Sequence, residues 1–217
     1  SIDALAKELK NLGHNVSIFA PHNPKHTDVD PNIFRFPSIR TPYPGFRLAI
    51  PISRRHLKMI PELNLDIIHT HSPYGMGLLS MFYSRRLKIP LVYTFHTLFA
   101  QYLHYFPILP KKLMKHLLSR YIRGFCNRCD VVIVPSSKIK NLLEEEKVKT
   151  LIEVVPSGVP LKAVHKYDGR GIREKFGIPS DAKVLLYVGR LSLEKNLPFL
   201  FESFKLVSKE IGNAYLM

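Results

Sequence analysis

The chain lacks the features of several common protein classes. It contains no tryptophan, only two cysteines, and 17 acidic residues against 32 lysines and arginines. Two cysteines cannot build a disulfide framework, which favours a reducing compartment. The apolar runs, such as Val131–Val134, are far shorter than the roughly 20 residues that a membrane-spanning helix needs. The chain begins without an initiator methionine or a signal-peptide pattern, and we expect a cytoplasmic protein.

Metal and redox motifs are also scarce. Cys126 and Cys129 form a C-x-x-C pair, but the second ligand pair of a zinc site is missing and no redox context surrounds it. We predict that both thiols pack at the end of a helix. No cluster of metal ligands occurs in the sequence, so no metal is expected.

The basic residues are concentrated in one stretch. The net charge is +15 and the sequence pI is about 9.9. Between Pro31 and Asp130, fifteen lysines and arginines face three acids, which leaves +12 of net charge there. This balance favours an anionic partner such as nucleic acid, an acidic membrane surface or a phosphorylated substrate.

Two basic segments, near 40–58 and 111–123, are interleaved with apolar residues. Such segments are typical of surfaces that bind anionic bilayers, although a solvated helix face is the simpler alternative. We predict membrane contact and expect no nucleic acid, because no nucleic-acid-binding signature accompanies the charge. The residues predicted at the membrane surface are Arg54, Arg55, Lys58, Lys111, Lys112, Lys115 and Arg120.

Short apolar runs alternate with helix-length amphipathic segments, which predicts an α/β fold with a parallel sheet. Because the runs are uniformly apolar, we expect the sheet to be covered on both faces. The predicted strands are 16–20, 66–69, 91–95, 131–134, 152–155 and 184–188, and 214–217 is predicted as the beginning of another. The predicted helices lie near 2–12, 75–87, 109–128, 138–147, 172–176 and 196–210, the last of them capped by Asn196.

The segment 156–181 is rich in glycine, proline and charge, and indicates a linker. We predict a Rossmann-like domain over 1–160 and the start of a second, incomplete one over 161–217. No strand precedes the first helix, and the second domain has a single strand-helix unit. We therefore expect both ends to be truncated.

Ligands bind at the carboxyl ends of strands in open parallel sheets, so polar residues that follow the apolar runs are candidates. His69, His71 and His96 are such residues. A third strand end carries Gly189, which permits close backbone approach, and Arg190, whose guanidinium fits a phosphate. With Lys195 beside a helix N-terminus, this pattern predicts a diphosphate clamp, and the alternative is an ordinary basic turn.

Val188–Lys195 resembles the diphosphate-binding motif of the retaining family-four glycosyltransferases, which have the two-domain GT-B fold. The stretch from Tyr93 to Tyr105 is similar to diacylglycerol glucosyltransferases and related glycolipid synthases. Ala100 and Gln101 stand where those relatives often have acidic residues, which leaves the acceptor open. Other segments agree with the family in order and spacing: Ser1–Val16, His69–Pro73, Asp130–Ser136 and Val155–Val159.

The resemblance implies transfer of a hexose, from UDP-glucose as the expected nucleotide sugar, to a membrane lipid such as diacylglycerol. It places His96 over the reacting sugar, where the alternative is a buried histidine bonded to backbone. The donor would be bound by Gly158, Gly189, Arg190 and Lys195. The acceptor would be bound by His71, Tyr102, His104 and Tyr105, for which packing is the alternative role.

These expectations describe an enzyme that is peripheral on the inner face of the cell membrane and needs no cofactor besides its nucleotide-sugar substrate. One alternative keeps the enzyme class and changes the acceptor. The enzyme would then transfer mannose to phosphatidylinositol, or transfer its sugar to a soluble molecule. A second alternative is a non-catalytic basic module that binds membranes or nucleic acid. The family's downstream Glu-containing motif would lie beyond Met217, so we expect the chain alone to be inactive.

Overall fold

The computed structural model describes residues 2–41, 46–96, 110–158 and 169–217. The chain divides into two compact units, Ser1–Gly158 and Val159–Met217. Within the described ranges, no helix is both long and apolar enough to cross a bilayer.

The first unit begins with a helix and two small strand pairs. Strands β1 and β2 are parallel, whereas β3 and β4 are antiparallel. The elements in chain order are α1 (Ile2–Asn11), β1 (Ile18–Pro21), β2 (Ile33–Phe36), β3 (Ser38–Arg40), β4 (Arg47–Ala49), α2 (Arg54–Met59) and a 3-10 turn (Ile60–Leu63).

A four-stranded parallel sheet, in the order β5-β6-β7-β8, follows with helices between its strands. This is the predicted α/β arrangement. Its elements are β5 (Ile68–Thr70), α3 (Met76–Leu87), β6 (Leu91–Thr94), α4 (Lys111–Cys126), β7 (Val131–Val134), α5 (Ser137–Glu145) and β8 (Leu151–Val154).

The main core lies where α4 packs on the central strands. Tyr93, Val132 and Phe125 are buried there, and both cysteines belong to the same cluster. Burial of Cys126 and Cys129 raises the pKa of each thiol to about 12. The prediction that they pack at a helix end is therefore confirmed. Strand β8 is less covered, because it lies at the edge of the sheet.

A smaller core links α2 to α3. Phe36, Ala49 and Ile60 pack there with Tyr83 of α3. The Tyr83 hydroxyl donates a hydrogen bond to the carbonyl of Leu57 in α2 (2.7 Å). This contact holds α2, a basic helix that the alternation pattern did not predict, against α3.

The second unit is a strand-helix-strand arrangement. Strands β9 and β10 pair in parallel and α7 connects them. Its elements are α6 (Arg170–Phe176), β9 (Lys183–Leu185), a 3-10 turn (Leu193–Lys195), α7 (Leu197–Ile211) and β10 (Ala214–Leu216).

Several predicted details are wrong. Strand β9 ends at Leu185, three residues before the predicted end, and the three short strands β2–β4 were not predicted. Asn196 precedes α7, but its backbone is left-handed (φ 48°, ψ 49°) and its side chain makes no capping hydrogen bond. A left-handed residue turns the chain into the helix by its backbone, whereas a capping side chain acts from extended backbone.

Candidate active site

Two histidines that were predicted separately meet at the carboxyl edge of the parallel sheet. His71 directly follows β5, and His96 follows β6 by two residues. A hydrogen bond of 2.8 Å joins His71 Nδ1 to His96 Nε2. The two rings are nearly parallel, with an angle of 17° and 5.1 Å between centroids. The pairing of neighbouring parallel strands brings together side chains that are 25 residues apart.

His69 forms the base of this cluster. Its Nε2 lies 2.6 Å from the hydroxyl oxygen of Thr94 on β6, and its ring stacks on that of His71 at 4.3 Å. This contact ties the ends of the neighbouring strands β5 and β6 together. Thr94 was not predicted as a site residue, and the available signal was its polar side chain near the end of the apolar run 91–95.

The environment favours the neutral form of all three rings. Burial, followed by the nearby charges of His69 and His96, lowers the pKa of His71 to about 3. Burial also lowers the pKa of His69 and of His96 below the usual range. At neutral pH each ring therefore has one nitrogen that donates a hydrogen bond and one that accepts.

The turn that carries His71 is held from two sides. The hydroxyl of Tyr121 on α4 donates to the Pro73 carbonyl at 2.6 Å, and its ring stacks on Tyr74 at 5.6 Å. Gly75 has a φ of +33°, and a Cβ there would lie 2.7 Å from the Ala49 carbonyl oxygen of β4. Only glycine fits this crowded, left-handed position, so the turn is specified by elements distant in the sequence.

The predicted diphosphate clamp lies in the second unit, between β9 and α7. Backbone bonds continue the β9–β10 pairing, because the Tyr187 N–H donates to the Met217 carbonyl at 2.7 Å. The Tyr187 hydroxyl donates to the Arg190 carbonyl (2.8 Å) and closes the loop over Gly189. Arg190 and Lys195 are both exposed. The loop thus presents two cationic side chains next to the start of a helix.

Ser192 is a further residue of this loop that the sequence reasoning missed. Its hydroxyl oxygen is buried and has no hydrogen-bond partner in the part of the chain that the structure describes. An unsatisfied buried hydroxyl costs about 1–3 kcal/mol, so its presence calls for an explanation.

The remaining predicted site residues are located differently. Gly158 is exposed at the end of the first unit, its backbone is not left-handed, and a Cβ would meet open space. Tyr102, His104 and Tyr105 lie outside the described residues. Within the described ranges, no group of three or more metal-ligating side chains is arranged around one point.

The predicted membrane-surface residues lie on two helices of the first unit. Arg54, Arg55 and Lys58 are exposed on α2, and Lys112, Lys115 and Arg120 are exposed on α4. The ion pairs found among the described residues involve none of these six side chains. Lys111 is the first residue of α4.

Comparison with known proteins identifies the class. The model of Glycosyltransferase Family 4 matches residues 1–163, about three-quarters of the chain. The chain therefore belongs to glycosyltransferase family 4, and the predicted class of enzyme is confirmed.

Individual members of the family resemble the chain over nearly its whole length. The chain is 35% identical to an alpha-monoglucosyldiacylglycerol synthase of Streptococcus pneumoniae over 97% of its own length and 49% of the relative. It is 30% identical to the synthase of the same name from Acholeplasma laidlawii, over 99% of this chain and 57% of the relative. The chain thus spans about half the length of these curated relatives.

Solved structures confirm the fold class. A sucrose-phosphate synthase from Thermosynechococcus elongatus matches 99% of this chain and 54% of its own, with a TM-score of 0.62 and 20% identity. A glycosyltransferase from Rickettsia africae matches 98% of this chain and 62% of its own, with a TM-score of 0.57 and 19% identity. The predicted GT-B type of α/β fold is confirmed.

Proposed function

We propose that the protein is a retaining glycosyltransferase that moves a hexose from UDP-glucose to a membrane lipid such as diacylglycerol. The observation that carries the proposal is the hydrogen-bonded pair of His71 and His96 at the carboxyl edge of the sheet. The two synthases named above, which resemble the chain over nearly its whole length, support the choice of acceptor.

His96 is the proposed contact to the transferred hexose. Its Nε2 is bonded to His71, and its Nδ1 has no hydrogen-bond partner among the described residues. A neutral imidazole that accepts at one nitrogen donates at the other. The direction of the hydrogen bond between His71 and His96 therefore decides whether His96 Nδ1 donates to, or accepts from, a sugar oxygen. In this role His71 positions His96.

The donor would be held by the loop between β9 and α7. Breaking the bond between the sugar's anomeric carbon and the phosphate oxygen leaves negative charge on the diphosphate. Arg190 and Lys195 would stabilise that charge, which is the kind of electrostatic contribution that dominates many enzyme rate enhancements. The hydroxyl of Ser192, which has no partner among the described residues, would donate a further hydrogen bond to a phosphate oxygen.

Membrane contact follows from a lipid acceptor, because diacylglycerol resides in the bilayer. The exposed basic residues of α2 and α4 fit an anionic surface, and each contributes about 1 kcal/mol when it is held near such a surface. We therefore propose a cytoplasmic protein that binds peripherally to the inner face of the cell membrane, with no cofactor.

A different acceptor and sugar form the second candidate. The chain is 33% identical over 97 residues to a phosphatidyl-myo-inositol mannosyltransferase of Mycolicibacterium smegmatis. That match covers 43% of this chain, against 97% for the pneumococcal synthase. The longer match favours the glucosyl transfer.

The test is a transfer assay with the full-length gene product. UDP-glucose and GDP-mannose are each offered with diacylglycerol or phosphatidylinositol in vesicles, and the anomeric configuration of the product is determined by NMR. We expect an α-glucosyl product on diacylglycerol, since UDP-glucose itself is an α-glucoside. We expect its loss in His96→Ala and its retention in His14→Ala, a control at an exposed histidine. Mannosyl transfer to phosphatidylinositol alone would replace the first proposal with the second, and an inverted product would refute retention.

A further inference from the structure

A second concave surface of the first unit runs between α3 and α4, and we call it the α3–α4 groove. It comprises a cavity of about 500 Å³ that residues of both helices line and an adjoining one of about 440 Å³ that residues of α3 line; the two share Leu78 and Met81. The groove lies on the helical face of the sheet, whereas the His71–His96 pair lies at the carboxyl edge.

The two helices approach each other closely at one end of the groove. Gly77 near the start of α3 lets Phe125 approach, and a Cβ at this glycine would be 3.1 Å from the Phe125 ring. The Tyr121 hydroxyl bonds to the Pro73 carbonyl just before α3.

The lining of the groove is apolar yet exposed. Leu78 is 51% exposed, Phe82 is 54% exposed and Leu117 of α4 is 45% exposed. Leu78 and Phe82 are four residues apart and therefore lie on one face of α3. Contiguous exposed apolar residues with a polar rim mark interaction sites for proteins, ligands or membranes.

The rim of the groove is basic. Arg85 and Arg86 of α3, and Arg120 and Arg128 in or just after α4, line the cavities. Neither helix contains a single aspartate or glutamate. No ion pair involves these arginines in the described ranges, although Arg128 donates to the Gly124 carbonyl. A second copy of the chain would bring like charges together, so the occupant must be anionic and must also carry apolar surface.

We propose that the α3–α4 groove binds an anionic phospholipid of the bilayer. One acyl chain lies along Leu78, Phe82 and Leu117, and the arginines bind the phosphate. Guanidinium groups fit phosphate oxygens with paired hydrogen bonds, and their stems pack on apolar surface. The inference rests on the proposed membrane contact but does not depend on which sugar or acceptor the active site uses. It assigns to this groove a lipid that is not the substrate.

The absence of tryptophan provides a direct test. Phe82→Trp places one fluorophore in the groove, and Phe199→Trp places one on α7 at a residue that is 69% exposed. Each variant is mixed with vesicles of brominated phosphatidylcholine, with and without brominated phosphatidylglycerol. Bromine on the acyl chain quenches tryptophan only at short range. We expect quenching of Trp at 82 that requires phosphatidylglycerol, and none at 199.

A charge-matched pair of variants tests the rim. Arg85→Gln/Arg86→Gln and the control Lys205→Gln/Lys209→Gln each remove two positive charges at exposed positions. In vesicle cosedimentation we expect the first pair to weaken binding by at least about tenfold and the control by much less, given about 1 kcal/mol per basic residue at a surface.

Equal quenching of the tryptophans at 82 and 199 would overturn the proposal. So would an equal loss of vesicle binding in the two double variants. A third contrary result is that polyglutamate displaces all vesicle binding while the tryptophan at 82 is not quenched. The last outcome would indicate an acidic protein partner instead. Quenching at 82 without any hexose transfer would leave the groove assignment standing and refute only the proposed function.

Discussion

The turn after β5 and the loop after β9 carry the two halves of the candidate chemistry, and they are held in different ways. The β5 turn receives contacts from β4, β6 and α4, which are far away in sequence. The β9 loop is closed by a local hydrogen bond from Tyr187 to Arg190, three residues away. Packing therefore constrains the histidine pair, whereas the cationic loop can be altered without disturbing the core.

The largest expected difference concerns one glycine from each region. A Cβ on Gly77 would lie 2.0 Å from the Ser72 carbonyl oxygen, whereas a Cβ on Gly189 would lie 2.7 Å from the Tyr187 hydroxyl. A backbone carbonyl cannot move aside, but the end of a tyrosine side chain can. In urea denaturation we expect Gly77→Ala to lose about 3 kcal/mol or more of unfolding free energy. Gly189→Ala should lose less than about 1 kcal/mol, and similar losses would contradict the comparison.

The next effect concerns the cationic loop. Because Arg190 is exposed, Arg190→Ala should leave the melting temperature nearly unchanged. Its transfer rate in the full-length gene product should fall about a hundredfold, as for loss of one group that stabilises transition-state charge. Lys205→Ala, at an exposed lysine of α7, is the control and should keep full activity. A large drop in stability for Arg190→Ala would show that the loop is structural.

The histidine cluster should make stability depend on pH. The pKa of His71 is lowered to about 3 in the fold from an ordinary 6.5, so the unfolded chain binds more protons between these values. Stability is therefore highest above pH 6.5 and falls with decreasing pH, by up to about 1.4 kcal/mol per pH unit for one histidine. His71→Asn should flatten this slope in urea titrations at several pH values. An unchanged slope would exclude His71 as its source.

The smallest expected losses of unfolding free energy come from removing the hydrogen bonds of two tyrosine hydroxyls. Tyr121→Phe removes the bond that ties α4 to the β5 turn and should cost about 1 kcal/mol of unfolding free energy. Tyr187→Phe removes the bond within the exposed β9 loop, where water can replace it, and should cost only a few tenths. Equal costs would mean that the β9 loop is as tightly packed as the β5 turn.

Some strands and helices could be predicted from the sequence more accurately than others. Apolar runs with turn residues on both sides located β6 and β7 to within a residue, because buried strands tolerate little else. The antiparallel pair β3–β4 and helix α2 were missed, since their short basic segments show no clear periodicity. Asn196 was predicted as a side-chain cap because asparagine is common there, but the same residue also tolerates the left-handed backbone that it adopts.

The sequence by itself determined the family, the alternation of strands and helices, the cationic motif of the β9 loop and the excess of positive charge. These properties are local, because each depends on residues that are close together along the chain. The tertiary structure alone decided that His71 bonds to His96, that Gly77 must be glycine and that α3 and α4 form a groove. Each of these depends on which distant residues the pairing of strands and the packing of helices bring into contact.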